Sequence, residues 1–458
     1  MGVSYNVQIW GIRKRPYSKP FQLRWQVGTF PKAESFLTKG LAESRRAQLV
    51  TAARAGEPFD EESGLPLSML KGEEVSWYQH ARNYIAMKWD DSPAKTRTTL
   101  AEAMATVTPA LVKDTRGMPD AYALRTALYG WAFNKSRWES EIPEDVQRTL
   151  AWVERKSLPI SALADSLTTR KALTALTKLL DGTTAAPSTT RRKRAIFHNA
   201  VGFALEAGHL TGNPLHRIQW KIPDVIEVVE PEVAVNPEQA AALLRAVREQ
   251  GKRGRHLEAF FGCLYFAGMR PAEAVWLRRA DCTLPRRGWG SLRLSETRPR
   301  VGSSWTDDGA SHDKRGLKWR PRKAVRTVPI PPELVSLLRW HLERFGTEPD
   351  GRLFRTSRGG MVQESGYGAV WAEARAHTFT SPAQFKSPLG RRPYDLRHAA
   401  VSLWLNSGVD PSEVARRAGH SLAVLLRVYA KCLHGGEAAA NDAISARLNR
   451  NPPPGSAR

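Results

Sequence analysis

Arg391–Lys431 reads RRPYDLRHAAVSLWLNSGVDPSEVARRAGHSLAVLLRVYAK. Its residues dictate a run of short helices. Asp410, Pro411 and Glu413 stand as an N-cap, an N1 proline and a capping-box acid, which predicts a short helix ending at Gly419. Ser421 can cap the next helix, which carries Tyr429 two turns along. The same stretch gathers Arg397, His398, His420 and Tyr429, with no metal-ligand cluster beside them. Arginines, histidines and a tyrosine collected in this way suit one kind of chemistry, in which a phosphodiester is bound and then attacked by a phenol.

A second part lies upstream in Phe266–Glu273, FAGMRPAE, with Arg270. A phosphate under attack gains charge as a fifth oxygen arrives. Arginine stays protonated at any working pH and grips two phosphate oxygens with a planar fork. Arg270 and Arg397 are therefore the candidate clamps, and preorganised donors of this kind supply the largest electrostatic contribution in such sites. A phenol ionises near pH ~10 in water, and nearby cations favour its phenolate. Its attack stores bond energy in a covalent phosphotyrosine, so the expectation is no cofactor, no ATP and no metal.

The order of these motifs resembles the tyrosine recombinase (phage integrase) family over roughly the last half of the chain. The family's G-(L/M)-R-x-x-E is met by Gly268, Met269, Arg270 and Glu273, and its H-x-L-R-H by Tyr394, Asp395, Leu396, Arg397 and His398. Its L-G-H-S, followed about ten residues on by a nucleophile in a Y-x-H or Y-x-K setting, is met by Ala418, Gly419, His420 and Ser421 and then Tyr429 and Lys431. The resemblance implies that Tyr429 is the nucleophile, that Arg270 and Arg397 clamp the phosphate, and that His420 donates to a phosphate oxygen. It gives His398 and Glu273 supporting roles. Tyr394 stands where the family usually has a histidine, and a tyrosine is a poor base at pH 7, so the group that accepts the Tyr429 proton is left open. The resemblance also implies a lysine in a β-hairpin loop as general acid to the leaving 5′ oxygen. Lys318 is placed for it, shortly before a strand, with Lys323 and Lys314 as alternatives.

Composition agrees with a nucleic-acid partner. The chain has 458 residues, enough for two or three domains, and a formal net charge of +24. No apolar run is long enough to span a bilayer and no signal peptide opens the chain, so a cytoplasmic, nucleoid-associated protein is expected. The three cysteines, Cys263, Cys282 and Cys432, are odd in number and widely spaced, which fits buried thiols and no zinc site. Fifteen tryptophans are scattered and read mostly as core.

Outward from the decisive stretch, residues 1–55 read as a small basic module. Phe21, Leu23, Trp25 and Val27 alternate with polar residues, as do Tyr5, Val7 and Ile9, giving the period of two of half-buried strands. A helix is expected from about Lys32, with Leu37, Leu41 and Leu49 on one side. The first fifty residues hold nine Lys/Arg against two Glu, and Arg13, Lys14 and Arg15 sit between the strands, so a β-ribbon DNA reader is expected. The acidic, Gly- and Pro-rich residues 56–74 read as a linker. Helical patterning over 75–220 follows. Its clearest helix places Ile196, Phe197, Ala200, Val201, Ala204 and Leu205 on one face and opens with Arg191, Arg192, Lys193 and Arg194, read as phosphate contacts. Residues 221–236 read as an extended linker, and a unit over 236–450 begins at the Asn236–Pro237 cap. It contains helices Glu238–Glu249, Leu257–Ala267 and Leu334–Phe345 and strands Trp289–Leu294 and Ala324–Ile330.

Taken with the resemblance, the expected fold is multidomain: a mainly α catalytic domain with a small β-hairpin sheet (integrase-type α+β), preceded by an all-α core-binding domain and an N-terminal sheet-plus-helix module that resembles arm-site-binding domains. The implied activity is site-specific recombination of double-stranded DNA attachment sites through a 3′-phosphotyrosine and a Holliday junction. The family works as a tetramer on two sites, with an excisionase or DNA-bending protein as further partners. The rivals are a type IB topoisomerase-like enzyme and a catalytically silent DNA-binding regulator.

Overall fold

Strand pairing organises the N-terminus. In the computed structural model, which describes residues 2–70, 74–221, 228–317, 324–432, 441–442 and 444–448, the Phe21–Val27 strand is the centre of a four-stranded antiparallel sheet. Val7–Ile9 and Arg13–Lys14 pair with it in succession, and Phe30–Phe36 pairs along its whole length. Leu23, Trp25 and Val27 point into the module's core, which the Lys39–Arg54 helix closes with Leu49 and Ala52. The helix expected from Lys32 thus starts seven residues later, after the Thr38 cap. Residues 30–36 continue as a strand whose inward positions are Lys32, Glu34 and Phe36. Leu37 and Leu41 are exposed and do not form the helix's packed face.

The acidic stretch read as a linker belongs to this module as far as residue 70. Phe59–Asp60 pairs with Val3–Ser4, Phe59 is fully buried, and the Trp25 indole donates to the Gly64 carbonyl at 2.5 Å. Residues 71–73 lie outside the described residues.

The second unit is all helical, from Trp77–Trp89 to Pro187–Glu206, around Trp77, Tyr84, Phe133 and Phe197. The Pro187–Glu206 helix buries Ile196, Phe197, Ala200, Val201 and Ala204, the face its spacing predicts. It also buries Lys193, whose ammonium donates to the Thr106 hydroxyl at 3.0 Å and the Lys178 carbonyl at 2.8 Å and pairs with Glu102 at 3.1 Å. Lys193 is therefore withdrawn as a DNA contact: a cation spent inside a core has none left for phosphate. Arg191 and Arg192 are exposed, and Arg194 is half-buried over the Trp220 ring.

The third unit begins at the Pro237–Glu249 helix, with the Asn236–Gln239 capping box. Its helices pack on a three-stranded antiparallel sheet in the order Arg326–Ile330, Gly290–Leu294, Cys282–Thr283. The Glu364–Thr378 helix, which the sequence pattern did not single out, packs on the first helix and adds Trp371 to the core. Residues 441–442 and 444–448 are helical, near the short C-terminal helix expected there. Cys263 and Cys282 are buried free thiols; the Cys432 side chain and the linker residues 222–227 are outside the described residues.

The long excursion between Glu296–Thr297 and Arg315–Gly316, which pair with each other, reaches into the helical unit. Trp305 is 5% exposed and lies 5.0 Å from Tyr129 and 5.9 Å from Trp89 between ring centroids. Arg97, itself buried over Trp89, donates to the Trp305 carbonyl at 3.1 Å and to both oxygens of Asp307. A Trp305→Ala change empties this socket and should lower the helical unit's stability by roughly 3–5 kcal/mol, the usual range for a buried tryptophan. Denaturant unfolding followed by probes in each unit checks it. The helical unit should melt earlier than in the parent protein, whereas an unchanged midpoint would mean that Trp305 carries no load.

Candidate active site

Four elements converge on one point. The Gly251–Phe266 helix ends in a turn at Gly268, whose φ of +55° and contact with Trp404 leave no room for a side chain. That turn delivers Arg270. The Asp395–Asn406 helix carries Arg397 and His398. The Pro411–Ala418 helix ends at Gly419 in the left-handed conformation expected of it, and the Ser421-capped Leu422–Tyr429 helix carries Tyr429 at its last position. Asp410 caps the first of these two short helices, but Glu413 does not complete a capping box: its carboxylate is held by Arg416 and Arg417.

At the centre is a carboxylate among arginines. Glu273 is buried, and its oxygens accept from the Arg270 backbone amide at 2.8 Å, Arg270 Nη1 at 2.9 Å and Arg326 Nη2 at 2.6 Å. Burial alone would raise its pKa, but Arg326, Arg270 and Arg397 overcome that and hold it down at about 2. Arg397, fully buried, donates to the Gly268 carbonyl, to the Ala418 carbonyl and to His420 Nε2 at 2.9 Å; its Nε has no partner. Arg270 donates to the Gly419 carbonyl at 3.3 Å and keeps a side chain 20% exposed, so of the three guanidinium groups it is the one presented outward. Tyr394 interacts with Arg270, and its ring packs edge-on to His398.

His398 Nδ1 lies 2.9 Å from the Tyr429 hydroxyl. Burial first, opposed by the Asp395 carboxylate and helped by Arg397 and Arg392, pushes the His398 pKa down to about 4, so the ring is neutral at pH 7 and Nδ1 can accept from the phenol. His420 stacks on Tyr429 with centroids 6.1 Å apart, and burial and then Arg397 and Arg270 push it to about 3. With Nε2 accepting from Arg397, its Nδ1 carries the proton and is buried without a partner. The Tyr429 side chain is 1% exposed. Val229 packs on the same cluster, its amide donates to the Val428 carbonyl at 2.7 Å, and Glu230 pairs with Lys431 at 2.7 Å.

The arrangement combines three guanidinium groups around one carboxylate, a phenol, and a neutral imidazole within hydrogen-bond distance of that phenol. Of the residues named from the sequence, Arg270, Glu273, Tyr394, Arg397, His398, His420 and Tyr429 come together here. Arg13, Lys14 and Arg15 lie on the exposed surface of the N-terminal module. Lys318 and Lys323 fall outside the described residues, and Lys314 is exposed. Arg326 is the residue that sequence reasoning missed. Among the described residues no group of His, Cys, Asp and Glu side chains could hold a metal ion, and no helix is long and apolar enough to cross a membrane.

Four histidines, His341 buried and the others half-buried, give a pH dependence with a definite sign. His256, His341 and His398, each near 4, and His420, near 3, are all depressed by burial. Unfolded, each titrates near ~6.5 and takes a proton that the folded site refuses. Their contribution is whole above that value and is lost as pH falls from about 6.5 towards 4, by roughly 1.4 kcal/mol per pH unit for each histidine. Denaturant titrations at pH 7.5, 6 and 5 should show stability falling steadily. A flat profile would mean that these rings are protonated in the folded protein.

No family model matches the chain. It is similar to the tyrosine recombinase XerC of Chlorobaculum parvum (strain DSM 263 / NCIMB 8327), with 24% identity over 264 residues that cover 53% of this chain and 68% of that protein. Among solved structures, the Tn1549 transposon integrase in complex with a circular intermediate DNA aligns with a TM-score of 0.49 and 18% identity, over 68% of this chain and 96% of that one. A lambda integrase tetramer bound to a Holliday junction aligns at 0.47 and 12% identity, over 90% and 95%.

Proposed function

We propose, starting from the resemblance to tyrosine recombinases that the match to XerC bears out, that this chain is a site-specific DNA recombinase of the integrase type. The observation that carries the mechanism is the contact between Tyr429 and His398 beside three arginines. In this reading Arg270 and Arg397 take the non-bridging oxygens of the scissile phosphate and His420 Nδ1 donates to one of them. His398 accepts the phenol proton as Tyr429 attacks. An incoming phosphate, being negative, raises the imidazole's basicity at the moment it is needed. The product is a 3′-phosphotyrosine and a free 5′-hydroxyl, and the 5′-hydroxyl of a partner duplex reverses the step. Because Tyr429 is buried, the last turn of its helix must swing towards the DNA, and the Val229 and Glu230 contacts must yield. Lys318 remains our candidate for protonating the leaving oxygen.

The same reading covers the whole assembly. The helical unit binds the core site through Arg191, Arg192 and Arg194, the N-terminal module reads accessory arm sites through Arg13, Lys14 and Arg15, and four copies act on two attachment sites. An excisionase or DNA-bending protein assists, and the protein works in the cytoplasm on the nucleoid. Footprinting with and without residues 1–74 tests the arm module. The truncated protein should keep core-site cleavage and lose protection of flanking DNA, and an unchanged flanking footprint would sink the arm-binding idea. The reaction class is tested on a plasmid carrying two attachment sites. Exchange of flanking segments is the expected result, and relaxation independent of a paired site would favour the topoisomerase reading.

A further inference from the structure

Arg326 opens the Arg326–Ile330 strand and is 2% exposed. Its guanidinium bridges two things that matter to the site. One arm, Nη2, donates to Glu273 Oε2 at 2.6 Å; the other, Nη1, donates to the Ala418 carbonyl at 2.5 Å. Arg397 also donates to the Ala418 carbonyl, and Arg270 to that of Gly419. Three arginines thus hold the C-terminal end of the Pro411–Ala418 helix, where the last carbonyls lack partners inside the helix and the dipole is negative. The contact is tight enough to restrict the sequence opposite. A Cβ on Gly419, already at φ +67°, would stand 2.6 Å from Arg326 Nη1. Arg416 Nη1 ties the same helix to the strand again, at the Thr327 carbonyl, 3.1 Å away.

We propose that Arg326 is a positioning residue for strand cleavage: it fixes the Ala418–Gly419 turn that aims His420 and Tyr429, and it shares Glu273 so that Arg270 keeps charge for the phosphate. This rests on the recombinase reading above. The charge balance is simple. Among Arg270, Arg326, Arg397 and Glu273, three positive groups meet one negative, leaving two positive charges for an anion. Without Arg326, Glu273 turns wholly to Arg270 and Arg397 and the surplus falls to one. Nothing in this role requires Arg326 to touch DNA, and its burial argues that it does not. Glutamine removes the charge and one of the two anchoring bonds. Lysine keeps a cation for Glu273, but one ammonium lacks the planar fork that reaches both partners.

The test compares wild type, Arg326→Gln and Arg326→Lys on a nicked attachment site, with DNA affinity measured separately. Arg326→Gln should bind DNA as wild type does and form covalent adduct about 10²–10³-fold more slowly, the scale for losing one transition-state donor. On a substrate whose scissile phosphate is a neutral methylphosphonate, the deficit should shrink, because less charge awaits compensation there. No deficit overturns the proposal, and an equal deficit on both substrates overturns its charge-sharing half, leaving Arg326 only to hold the Ala418–Gly419 turn. Should Arg326→Gln fail to fold, Arg326→Lys decides. Its adduct rate should fall about 10- to 100-fold, the scale of one charge-assisted hydrogen bond, at unchanged DNA affinity, and a rate equal to wild type overturns the proposal. If wild type itself forms no adduct, it is the recombinase reading that fails.

Discussion

Tyr429→Phe should bind its DNA site with unchanged affinity and form no covalent adduct. The substitution removes one oxygen from a buried side chain and leaves the ring stacked on His420. It also removes the 2.9 Å hydrogen bond to His398 Nδ1, which leaves that nitrogen without its donor and costs about 1–3 kcal/mol of stability at most. The fold should survive, so failure to cleave reports on chemistry. The measurement is adduct yield on a nicked site that traps the cleaved strand, with a gel-shift titration for affinity. A normal yield from Tyr429→Phe would remove Tyr429 from the mechanism.

Arg270→Ala should lose roughly 10²–10³-fold or more in cleavage rate, the scale for deleting one preorganised donor. Arg270 is the most exposed of the three guanidinium groups around Glu273, so it is the one best placed to meet a phosphate from outside. Glu273 stays paired with Arg326 when Arg270 is removed, so a buried carboxylate is not left alone and the site should hold its shape. A 5′-bridging phosphorothiolate separates this role from leaving-group catalysis. Sulfur departs without a proton, so it should rescue loss of the general acid and do little for Arg270→Ala, whose target is the non-bridging charge. Running Lys318→Ala and Lys323→Ala beside it identifies the acid: rescue of Lys323→Ala alone would move that role from Lys318. Full rescue of Arg270→Ala by sulfur would contradict the clamp.

The residues of the site were legible because chemistry constrains their types and spacing. Arg270, Arg397, His420 and Tyr429 stand at the intervals that two helix ends and one capped turn require, and the structure brings them together. What sequence left open was the proton acceptor. A histidine one residue after an arginine carries no sign of which neighbour it faces, and only the packing of two helices puts His398 on Tyr429.

Arg326 and Lys193 were misjudged for a shared reason. In a chain with 69 Lys and Arg, one more basic residue draws no notice. Yet periodicity held the signal. Arg326 alternates with Val328 and Ile330 on the inward side of its strand, and Lys193 falls on the helix face of Thr190, Ile196, Phe197 and Ala200. A charged residue on an apolar face has to find partners there, and both do. The Phe30–Phe36 strand failed the other way: with Lys32 and Glu34 at inward positions, its pattern shows no apolar alternation, and pairing to Phe21–Val27 overrides it.

The central claim is a covalent bond between DNA and one named oxygen. Trapping the wild-type protein on a nicked attachment site, digesting protein and DNA, and sequencing the cross-linked peptide by mass spectrometry tests it most directly. The expected result is a single modified peptide carrying a 3′-linked nucleotide on Tyr429, lost in Tyr429→Phe. An adduct on any other residue, or strand cleavage with no adduct, would contradict the account.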